Sequence, residues 1–444
     1  MKPSLPYMDS LYSFTHQYHR FMRNSLRSDD IFYTAGRIKT ILDNVAPYYK
    51  KHSIPKRNSK EKRIVFEVSP DLRLLQKFIK VTILDPLDRE YTADYAFAYR
   101  KGRSARDNAQ VHAGCRYMLK LDIRHFFESI RKSLVYSMLK KHTHYNRAIL
   151  GTLTRLLCYN GALCQGACTS PQIANLVLSD FDNIISIFCL NSGIAYSRYC
   201  DDMTFSSPLP FDVELLKNTV RLLLASYHFE LNEKKTRYLG PGQRREVTGA
   251  VVNDRVRAKR VYRQKLRQEL YYVCKYGVEE HLEKTRPEWY RSPCSNADIR
   301  HYLFSLRGRI SYAKMLWPED PFNTWAIGHF KEAVLHECRS FSTTTIRGLI
   351  PLLDNDDRDL FYSMLTEMNG RKHACPRSSG TRSASKEGIT EGTGPLLPYG
   401  VPVEDDTTRL PFDVMGFDEP PISLFELMQE RVHEICGPNP DPSP

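Results

Sequence analysis

Apolar residues recur at helical spacing near the start of the chain and then at strand spacing. Residues 9–42 place aromatic and aliphatic side chains every three or four positions, which predicts one or two amphipathic helices before a basic connector at 50–62. Residues 63–68 alternate and are rich in β-branched side chains, whereas residues 72–83 return to helical spacing. We therefore expect a strand followed by a helix here.

The middle of the chain mixes short strands with helices. Residues 119–123 have the pattern of a strand that enters an aromatic turn, and residues 194–205 alternate as a strand, a tight turn and a second strand. Helical periodicity marks residues 173–188, after a glycine-containing segment at 160–171. A hairpin among helices predicts an α+β fold and not a doubly wound sheet.

Two basic amphipathic helices are predicted after Gly249. The first has an apolar stripe from Tyr262 to Cys274 and ends at Gly277, and the second has a stripe between Ile299 and Ala313. The basic residues of this region are Arg257, Lys259, Arg260, Arg263, Lys265, Arg267, Arg307 and Arg309. Packed basic helices of this kind can grip a nucleic-acid duplex through its phosphates.

The C-terminal part differs in composition from the rest. Residues 375–393 are rich in Ser, Gly, Thr and Lys, which predicts a flexible linker. The following segment, 396–435, holds two apolar clusters, but a segment of about forty residues is too short for an independent core. We expect it to dock on the main body or on a partner.

The same two parts of the chain differ in net charge. The chain of 444 residues has a formal net charge of +13, yet from Glu404 onward the net charge is −8, so the preceding residues carry +21. The main body should attract a polyanion, and the tail should not. The length predicts several subdomains around a shared groove.

Cysteine usage and hydropathy indicate the compartment. The eleven cysteines lack paired spacing, which favours reduced thiols, and Cys158, Cys164 and Cys168 have no second ligand pair at zinc spacing. The start of the chain lacks the apolar region of a signal peptide, and no charge-free apolar run approaches about 18 residues. We expect a cytoplasmic protein that does not enter the membrane.

Three aspartates carry the candidate chemistry. Asp201 and Asp202 lie at the tip of the predicted hairpin, and Asp122 lies on a separate strand. Carboxylates on neighbouring strands can hold two divalent cations, here two Mg²⁺ with Mn²⁺ as the alternative, for phosphoryl transfer. Paired aspartates also occur in solvated turns, so this interpretation depends on the surrounding motifs.

Those motifs resemble the motifs of bacterial retron-type reverse transcriptases over about 72–316. In chain order they are NAQVH at 108–112, KLDIRHFFESI at 120–130, GALCQGACTSP at 161–171, YCDD at 199–202 and VTG at 247–249. Cys164 stands where the family usually has proline, and Cys200 stands where it often has alanine. The coincidence of order and position makes the match far stronger than any single motif.

The resemblance implies a right-hand polymerase fold with fingers, palm and helical thumb, plus a short C-terminal extension. The predicted regions are an N-terminal helical and basic region (1–62), fingers and palm (63–253), thumb (254–330), a helical extension (331–374), a linker (375–395) and an acidic segment (396–444). It also implies a cognate noncoding RNA as template, a 2′-hydroxyl as primer, dNTP substrates, an RNA–DNA product and antiphage defence. An accessory effector protein is the expected partner of the acidic segment.

Three residues are assigned to the template and the incoming nucleotide. Phe127 lies five residues after Asp122, where the family places an aromatic gate against the sugar 2′ position; the alternative is a core phenylalanine. Gln165 and Gly166 are expected to let the main chain approach the template and the incoming base, or Gly166 simply makes a turn.

Three basic residues are assigned to the phosphates. Arg63 and Arg103 are candidate clamps for the triphosphate because guanidinium groups bind phosphate oxygens in pairs, although both also fit as solvated surface charges. Lys234 is a candidate charge stabiliser or proton donor at the leaving pyrophosphate, or else an exposed lysine in a basic loop.

A last set is assigned to RNA binding and priming: Asn108, His112, Thr248, Gly249, Arg260 and Arg263. His112 would contact the RNA or orient the primer, and Asn108 would hydrogen-bond a base or a ribose. The alternative for His112 is a structural role, which is ordinary for a lone histidine beside an apolar segment.

Two other functions stay open. Another bacterial reverse transcriptase, such as a group II intron-like enzyme, would normally add a long basic domain after the thumb, whereas this chain continues into an acidic segment. A catalytically idle RNA-binding scaffold is disfavoured because three like charges in a confined site are costly without cations.

Overall fold

A computed structural model describes residues 4–26, 35–55, 62–287, 289–290 and 292–337. The predicted linker and acidic segment lie outside the described residues, as does the predicted extension after residue 337.

The chain divides into two compact units. Within the described residues the first unit comprises residues up to 248 together with 252–255, and the second comprises 249–251 together with 256–337.

The first unit combines helices with short strands. Its helices are α1 (Leu11–Leu26), α2 (Ala35–Asp43), α3 (Pro70–Ile79), α4 (Asp85–Tyr91), α5 (Ala105–Gln110), α6 (Phe126–Ser129), α7 (Lys132–His142), α8 (Arg147–Leu157), α9 (Ser170–Val177), α10 (Ser179–Asn191) and α11 (Val213–Ala225). Its strands are β1 (Tyr49–Pro55), β2 (Lys62–Val68), β3 (Tyr117–Asp122), β4 (Ala195–Tyr199), β5 (Asp202–Ser207), β6 (Arg237–Leu239) and β7 (Glu246–Val247). This mixture confirms the predicted α+β character.

A four-stranded antiparallel sheet organises this unit, with the strand order β4-β5-β3-β6. Strand alternation divides β3 between two faces. Leu119 and Leu121 are buried in the main core with Phe205 of β5, whereas Lys120 and Asp122 point to the other face. Burial of each such apolar side chain contributes roughly 1.5–3 kcal/mol, so the core fixes the face on which Asp122 lies.

The predicted strand and helix at 63–83 are confirmed as β2 and α3. The Ser69 side chain accepts a hydrogen bond from the Leu72 amide at 3.3 Å, and Pro70 occupies the first turn. A single π-helical turn, Lys80–Leu84, extends the helix towards α4.

The predicted connector at 50–62 is wrong in part, because it contains β1. This strand pairs with β2 in antiparallel register from Tyr49 opposite Val68 to Pro55 opposite Lys62. Its side chains after Tyr49 are exposed, so no apolar alternation marked it in the sequence.

The second unit is helical apart from the short strand β8. Its elements are β8 (Ala250–Val251), α12 (Arg260–Tyr276), α13 (Val278–Thr285), α14 (Asn296–Leu316) and α15 (Pro321–Glu337). The two predicted amphipathic helices are confirmed as α12 and α14. Gly277 ends α12 with φ +84°, and Ser295 caps α14.

The described cysteines are without disulfides, and four of them are buried: Cys115, Cys158, Cys164 and Cys189. Burial raises the pKa of the Cys164 thiol to about 12, which keeps it protonated. Those four are core residues, as expected, and the reduced state of the thiols stays a prediction.

Among the described helices, none is both long and apolar enough to cross a membrane. Helices α9 and α10 reach that length and composition only when they are taken together, and a bend of 48° separates them.

Candidate active site

A two-residue turn between β4 and β5 presents the paired aspartates. Tyr199 lies opposite Asp202 in the strand register, which leaves Cys200 and Asp201 as the turn. Cys200 adopts φ +62°, the left-handed conformation that tight hairpin turns demand and that non-glycine residues rarely take. The predicted hairpin is confirmed, and its tip carries Asp201.

The third aspartate lies at the end of the neighbouring strand. Asp122 is the last residue of β3 and stands directly opposite Asp202. The Ile123 amide donates a hydrogen bond to the Asp201 carbonyl at 3.1 Å, which joins β3 to the turn. The three residues, which we call the carboxylate cluster, therefore meet at one end of the two central strands.

Asp122 is buried and fully engaged by the segment after α11. Only 3% of Asp122 is exposed. Lys235 Nζ lies 2.5 Å from its Oδ2, and Asn232 Nδ2 donates to its Oδ1 at 3.0 Å. The Asn232 amide also donates to the Asp122 carbonyl at 2.7 Å, which fixes the main chain as well as the side chain.

The electrostatics of the cluster favour a cation. Burial, followed by the charge of Asp122, raises the pKa of Asp201 above its ordinary value. Burial alone would lower the pKa of Lys235, but its hydrogen bond to Asp122 and the charges of the three aspartates raise it overall. Lys235 is therefore a charged ammonium that compensates part of the negative charge.

A cleft of about 570 Å³ opens beside Asp202. Its charged lining residues are Lys120, Asp202, Lys235, Arg237, Arg244 and Glu246, so cations outnumber carboxylates. Lys120 and Arg237 stand directly opposite each other on β3 and β6. Like charges in that position destabilise a sheet, and a bound anion would relieve the repulsion. We call this feature the cation cleft.

Two of the residues assigned to the template and the incoming nucleotide, Phe127 and Gln165, belong to segments that contact each other. Phe127 is partly buried, with its ring centroid 5.5 Å from that of Phe126. Gln165 Nε2 donates to Glu128 Oε1 at 3.3 Å, so the two predicted nucleotide segments are in contact.

Gly166 permits a close approach within the protein itself. It has φ +114°, and a Cβ at this position would lie 2.1 Å from the carbonyl oxygen of Phe66. The Phe66 amide also donates to the Gln165 carbonyl at 2.7 Å. The missing side chain thus lets β2 dock on the segment that carries Gln165, which is more than a simple turn.

The three predicted phosphate ligands have different surroundings. Arg63 is exposed on β2, and Lys234 is exposed beside Lys235. Arg103 is paired with Asp94 at 2.7 Å and lies over the Phe97 ring at 5.0 Å. Among the described residues, Arg103 and Lys234 form no hydrogen bond or ion pair with the carboxylate cluster.

Asn108 and His112 are buried, each only 1% exposed. The His112 ring nitrogens hydrogen-bond Ser206 at 2.7 Å and Ser197 at 2.8 Å, which ties β5 to β4 behind the turn. Burial lowers the pKa of His112 to about 3, so the ring is neutral. This placement leaves His112 no surface for an RNA contact and favours the structural alternative.

The other predicted RNA-binding residues divide between the units. Thr248, in the first unit, has φ +45° and donates from Oγ1 to the Ala105 carbonyl at 2.7 Å. In the second unit Gly249 has φ +86°, Arg260 is exposed, and Arg263 is paired with Asp320 at 2.8 Å. Arg260 is thus the better placed of the two arginines for a phosphate contact.

Sequence reasoning missed Lys235, Asn232 and Lys120. The sequence pattern pointed to Lys234, and only the fold shows that its neighbour Lys235 is the lysine that reaches Asp122. Lys120 lies two residues before Asp122 on the same face of β3, with its Nζ 3.9 Å from Asp202 Oδ2. Strand alternation was a sufficient signal for Lys120; Asn232 gave no local signal.

The donor set of the carboxylate cluster fits a hard cation such as Mg²⁺. Within the described residues no group of three or more His, Cys, Asp or Glu side chains is arranged so that it could hold a metal ion. Mg²⁺ does not require such a group, because it is usually held by one or two carboxylates together with substrate phosphates and water. The raised pKa of Asp201 and the ammonium against Asp122 both mark a place where positive charge is favoured.

Residues 54–252 match a protein-family model described as reverse transcriptase (RNA-dependent DNA polymerase). This span includes the carboxylate cluster, the cation cleft and Gly166.

Individual curated relatives are more specific than the family model. The chain is 30% identical to the Retron Ec86 reverse transcriptase of Escherichia coli over 54% of this chain and 73% of that protein. It is 31% identical to the Retron Ec83 reverse transcriptase of Escherichia coli, over 62% and 84% of the two chains. It is 28% identical to the Retron Se72 reverse transcriptase of Salmonella heidelberg, over 57% and 69%.

Proposed function

The chain belongs to the retron reverse transcriptases, and we propose that within this family it copies a cognate noncoding RNA into single-stranded DNA, starting from a 2′-hydroxyl of that RNA. It is an RNA-directed DNA polymerase. Membership in this family argues against the group II intron-like alternative and against the catalytically idle scaffold.

The observation that carries the proposal is the register of the carboxylate cluster. Asp122 and Asp202 face each other on the two central strands, and Asp201 lies in the turn between β4 and β5, directly before Asp202. Strands held by a packed core keep carboxylates in fixed relative positions, as in-line phosphoryl transfer requires. In this proposal the sheet is the palm, the segments around β2 belong to the fingers, and the second unit is the thumb.

Two Mg²⁺ ions, or Mn²⁺ in their place, would be held by Asp122 and Asp201 with Asp202 in support. When bound, they would activate the attacking hydroxyl and neutralise the leaving pyrophosphate. The chain itself contributes orientation and charge. Asn232 orients Asp122 through its side chain and its amide, and Lys235 brings a permanent ammonium to the site.

Lys235 takes over the role that the sequence had assigned to Lys234. Its ammonium is the one that reaches the carboxylate cluster, so it can stabilise charge or donate a proton at the leaving group. Phe127 lies next to Glu128, which accepts a hydrogen bond from Gln165. The Phe127 ring would exclude a ribose 2′-hydroxyl by steric contact. Arg63 remains a candidate triphosphate ligand because its side chain is exposed.

RNA binding is supported by surfaces in both units. The first unit has the cation cleft beside Asp202, suited to the backbone of a nucleic-acid strand. In the second unit Tyr271, Tyr272 and Tyr276 on α12 are 50%, 39% and 42% exposed, and Lys275 lies over two of their rings. We call this group the tyrosine face. Aromatic rings with interleaved cations are typical of surfaces on which unpaired bases stack.

Antiphage defence and an effector protein are part of the proposal by family membership. The acidic segment proposed to hold the effector lies outside the described residues. Deleting residues 375–444 should abolish effector capture and leave polymerase activity in place.

The experiment compares the wild type with an Asp201→Ala/Asp202→Ala variant, each purified from cells that carry the native flanking DNA. The bound nucleic acid is extracted and treated with RNase and with DNase. We expect a discrete DNA joined to RNA in the wild type and its loss in the variant. Asp180→Ala, which removes an exposed partner of Lys141, is the matched control and should keep the DNA.

Alkali then tests the primer. A branch at a 2′-oxygen blocks hydrolysis at that nucleotide, because its 2′-oxygen is already esterified and cannot attack the adjacent phosphate. The branch nucleotide and the ribonucleotide on its 3′ side should therefore survive on the DNA after alkaline treatment. DNA without any residual ribonucleotide would overturn 2′-hydroxyl priming, and RNA without DNA in the wild type would overturn templated synthesis on this RNA.

A further inference from the structure

The arginine of β4 is buried behind the catalytic turn. Arg198 is completely buried, and so is its ion-pair partner, Asp182 of α10. Arg198 Nε donates to Asp182 Oδ1 at 2.8 Å and Nη2 donates to Oδ2 at 2.5 Å, a paired geometry. Tyr196 donates to the same carboxylate at 2.7 Å.

One arm of the guanidinium leaves this pair and reaches the turn. Arg198 Nη1 donates to the Cys200 carbonyl at 3.0 Å and to Asn175 Oδ1 at 3.2 Å. The Cys200 carbonyl and the Asp201 amide belong to one planar peptide group. A hydrogen bond to that carbonyl therefore fixes the plane from which Asp201 extends.

The turn needs such a restraint. Cys200 has φ +62°, and a non-glycine residue keeps this conformation only where its surroundings over-determine it. The restraint is itself anchored, because the Arg198 amide donates to the Tyr95 carbonyl at 2.8 Å and the Phe97 amide donates to the Arg198 carbonyl at 2.9 Å. Both ends of Arg198 are thus fixed by elements outside the hairpin.

A buried ion pair alone is weak evidence for a functional role. Replacing such a pair by apolar side chains of similar volume is often neutral for stability, so stability alone does not account for it. The distinguishing feature is the bond from Nη1 to Cys200, which an apolar core does not need.

We propose that Arg198, held by Asp182, is a positioning residue that sets the peptide plane between Cys200 and Asp201 and so the position of the Asp201 carboxylate. The inference rests on the proposed metal-binding role of Asp201. Misplacement of a reacting group by about 1 Å can cost on the order of 100-fold in rate. Loss of the bond to Cys200 should therefore lower turnover and weaken the response to metal without changing nucleotide binding.

The test uses the full chain on an RNA template with an annealed DNA primer. This substrate reports polymerase activity whatever the native primer is, so a failure of 2′-hydroxyl priming leaves the test intact. In Arg198→Met/Asp182→Leu both charges are removed together. We expect Tm close to the wild type, kcat lower by about 10- to 100-fold, a several-fold higher Mg²⁺ concentration at half-maximal rate, and a KM for dNTP within about twofold.

Tyr196→Phe is the matched control. It removes a hydrogen bond to the same carboxylate but keeps the ring, which stacks on Phe205 at 5.0 Å, and it leaves Arg198 Nη1 on Cys200. We expect its kcat and Mg²⁺ response to match the wild type. Equal losses of kcat in both variants would mean that the network acts through general stability, and the proposal would be wrong.

A folded double variant with wild-type kcat and Mg²⁺ response would also overturn it. If the double variant does not fold, Arg198→Lys decides the question. The lysine ammonium is a single point of charge and cannot hold the paired geometry on Asp182 while donating to Cys200. Lower kcat at unchanged Tm supports the proposal, and wild-type kcat refutes it. A wild type that needs no divalent ion would instead overturn the metal proposal.

Discussion

The carboxylate cluster and the tyrosine face use charge in opposite ways. In the first, Asp122 is buried and bonded to residues more than a hundred positions away in the chain. In the second, the tyrosines and Lys275 lie exposed on one helix and contact each other, and Lys284 of α13 lies over the Tyr276 ring at 4.8 Å. The cluster is suited to fixing atoms for a reaction, and the face is suited to a partner whose position varies.

Neutralising the buried carboxylate Asp122 should have the largest effect on activity. Asp122→Asn keeps the side-chain shape but removes the charge that a metal needs, so extension of a primed RNA template should fall by about 10³-fold or more. The measurement is kcat for dNTP incorporation. Asp43→Asn, at the C-terminal end of α2, is the control and should retain activity. Residual activity above a tenth of wild type would refute a metal-ligand role for Asp122.

The next effect concerns stability in the first unit. In Gly166→Ala the new Cβ would lie 2.1 Å from the Phe66 carbonyl oxygen, so β2 must move. We expect a loss of about 2–4 kcal/mol in the free energy of unfolding, measured by denaturant titration.

Gly161→Ala is the matched control for this close approach. Gly161 also has a positive φ, +77°, but nothing lies within 4 Å of its Cβ position. Only the left-handed backbone is strained there, at a cost of about 1 kcal/mol. Equal losses in the two variants would show that backbone strain, and not the contact with β2, makes Gly166 necessary.

A smaller effect separates the two neighbouring lysines. Lys235→Met removes the ammonium from Asp122 and should lower kcat by about 10²-fold, whereas Lys234→Met should stay within about twofold. Steady-state kinetics on the same primed template measure both. The reverse order would restore the original assignment to Lys234 and would mean that the contact with Asp122 has no catalytic consequence.

The same contrast explains how far the sequence predicts the structure. Helices α12 and α14 were predicted from apolar spacing, and the glycine that ends α12 was predicted too, because each signal lies within a few residues. The hairpin was predicted from alternation and its paired aspartates. Local pattern sufficed wherever the structure is local.

Pattern failed where distant segments meet. Asn232 and Lys235 reach Asp122 only because the chain returns alongside β3, and no local signal distinguishes Lys235 from Lys234. Exposed β1 gave no alternation and was missed, since main-chain pairing with β2 defines it. His112 was assigned to RNA from a motif, and only the fold shows that its ring is enclosed between Ser197 and Ser206.

The smallest expected effect tests the tyrosine face. Tyr272→Ala removes one ring from a stacked pair with Tyr276, whose centroids are 6.1 Å apart, and should weaken binding of single-stranded RNA by about tenfold. The salt dependence should not change, because no charge is lost, whereas Lys275→Met should lower the slope of log affinity against log salt by about one. Fluorescence anisotropy with a labelled RNA measures both quantities.

Tyr12→Ala is the control, because Tyr12 is 76% exposed on α1, outside this face, and should bind as the wild type does. Wild-type affinity in Tyr272→Ala would remove the tyrosine face from the RNA-binding surface and leave exposed charge as the basis of binding by the second unit.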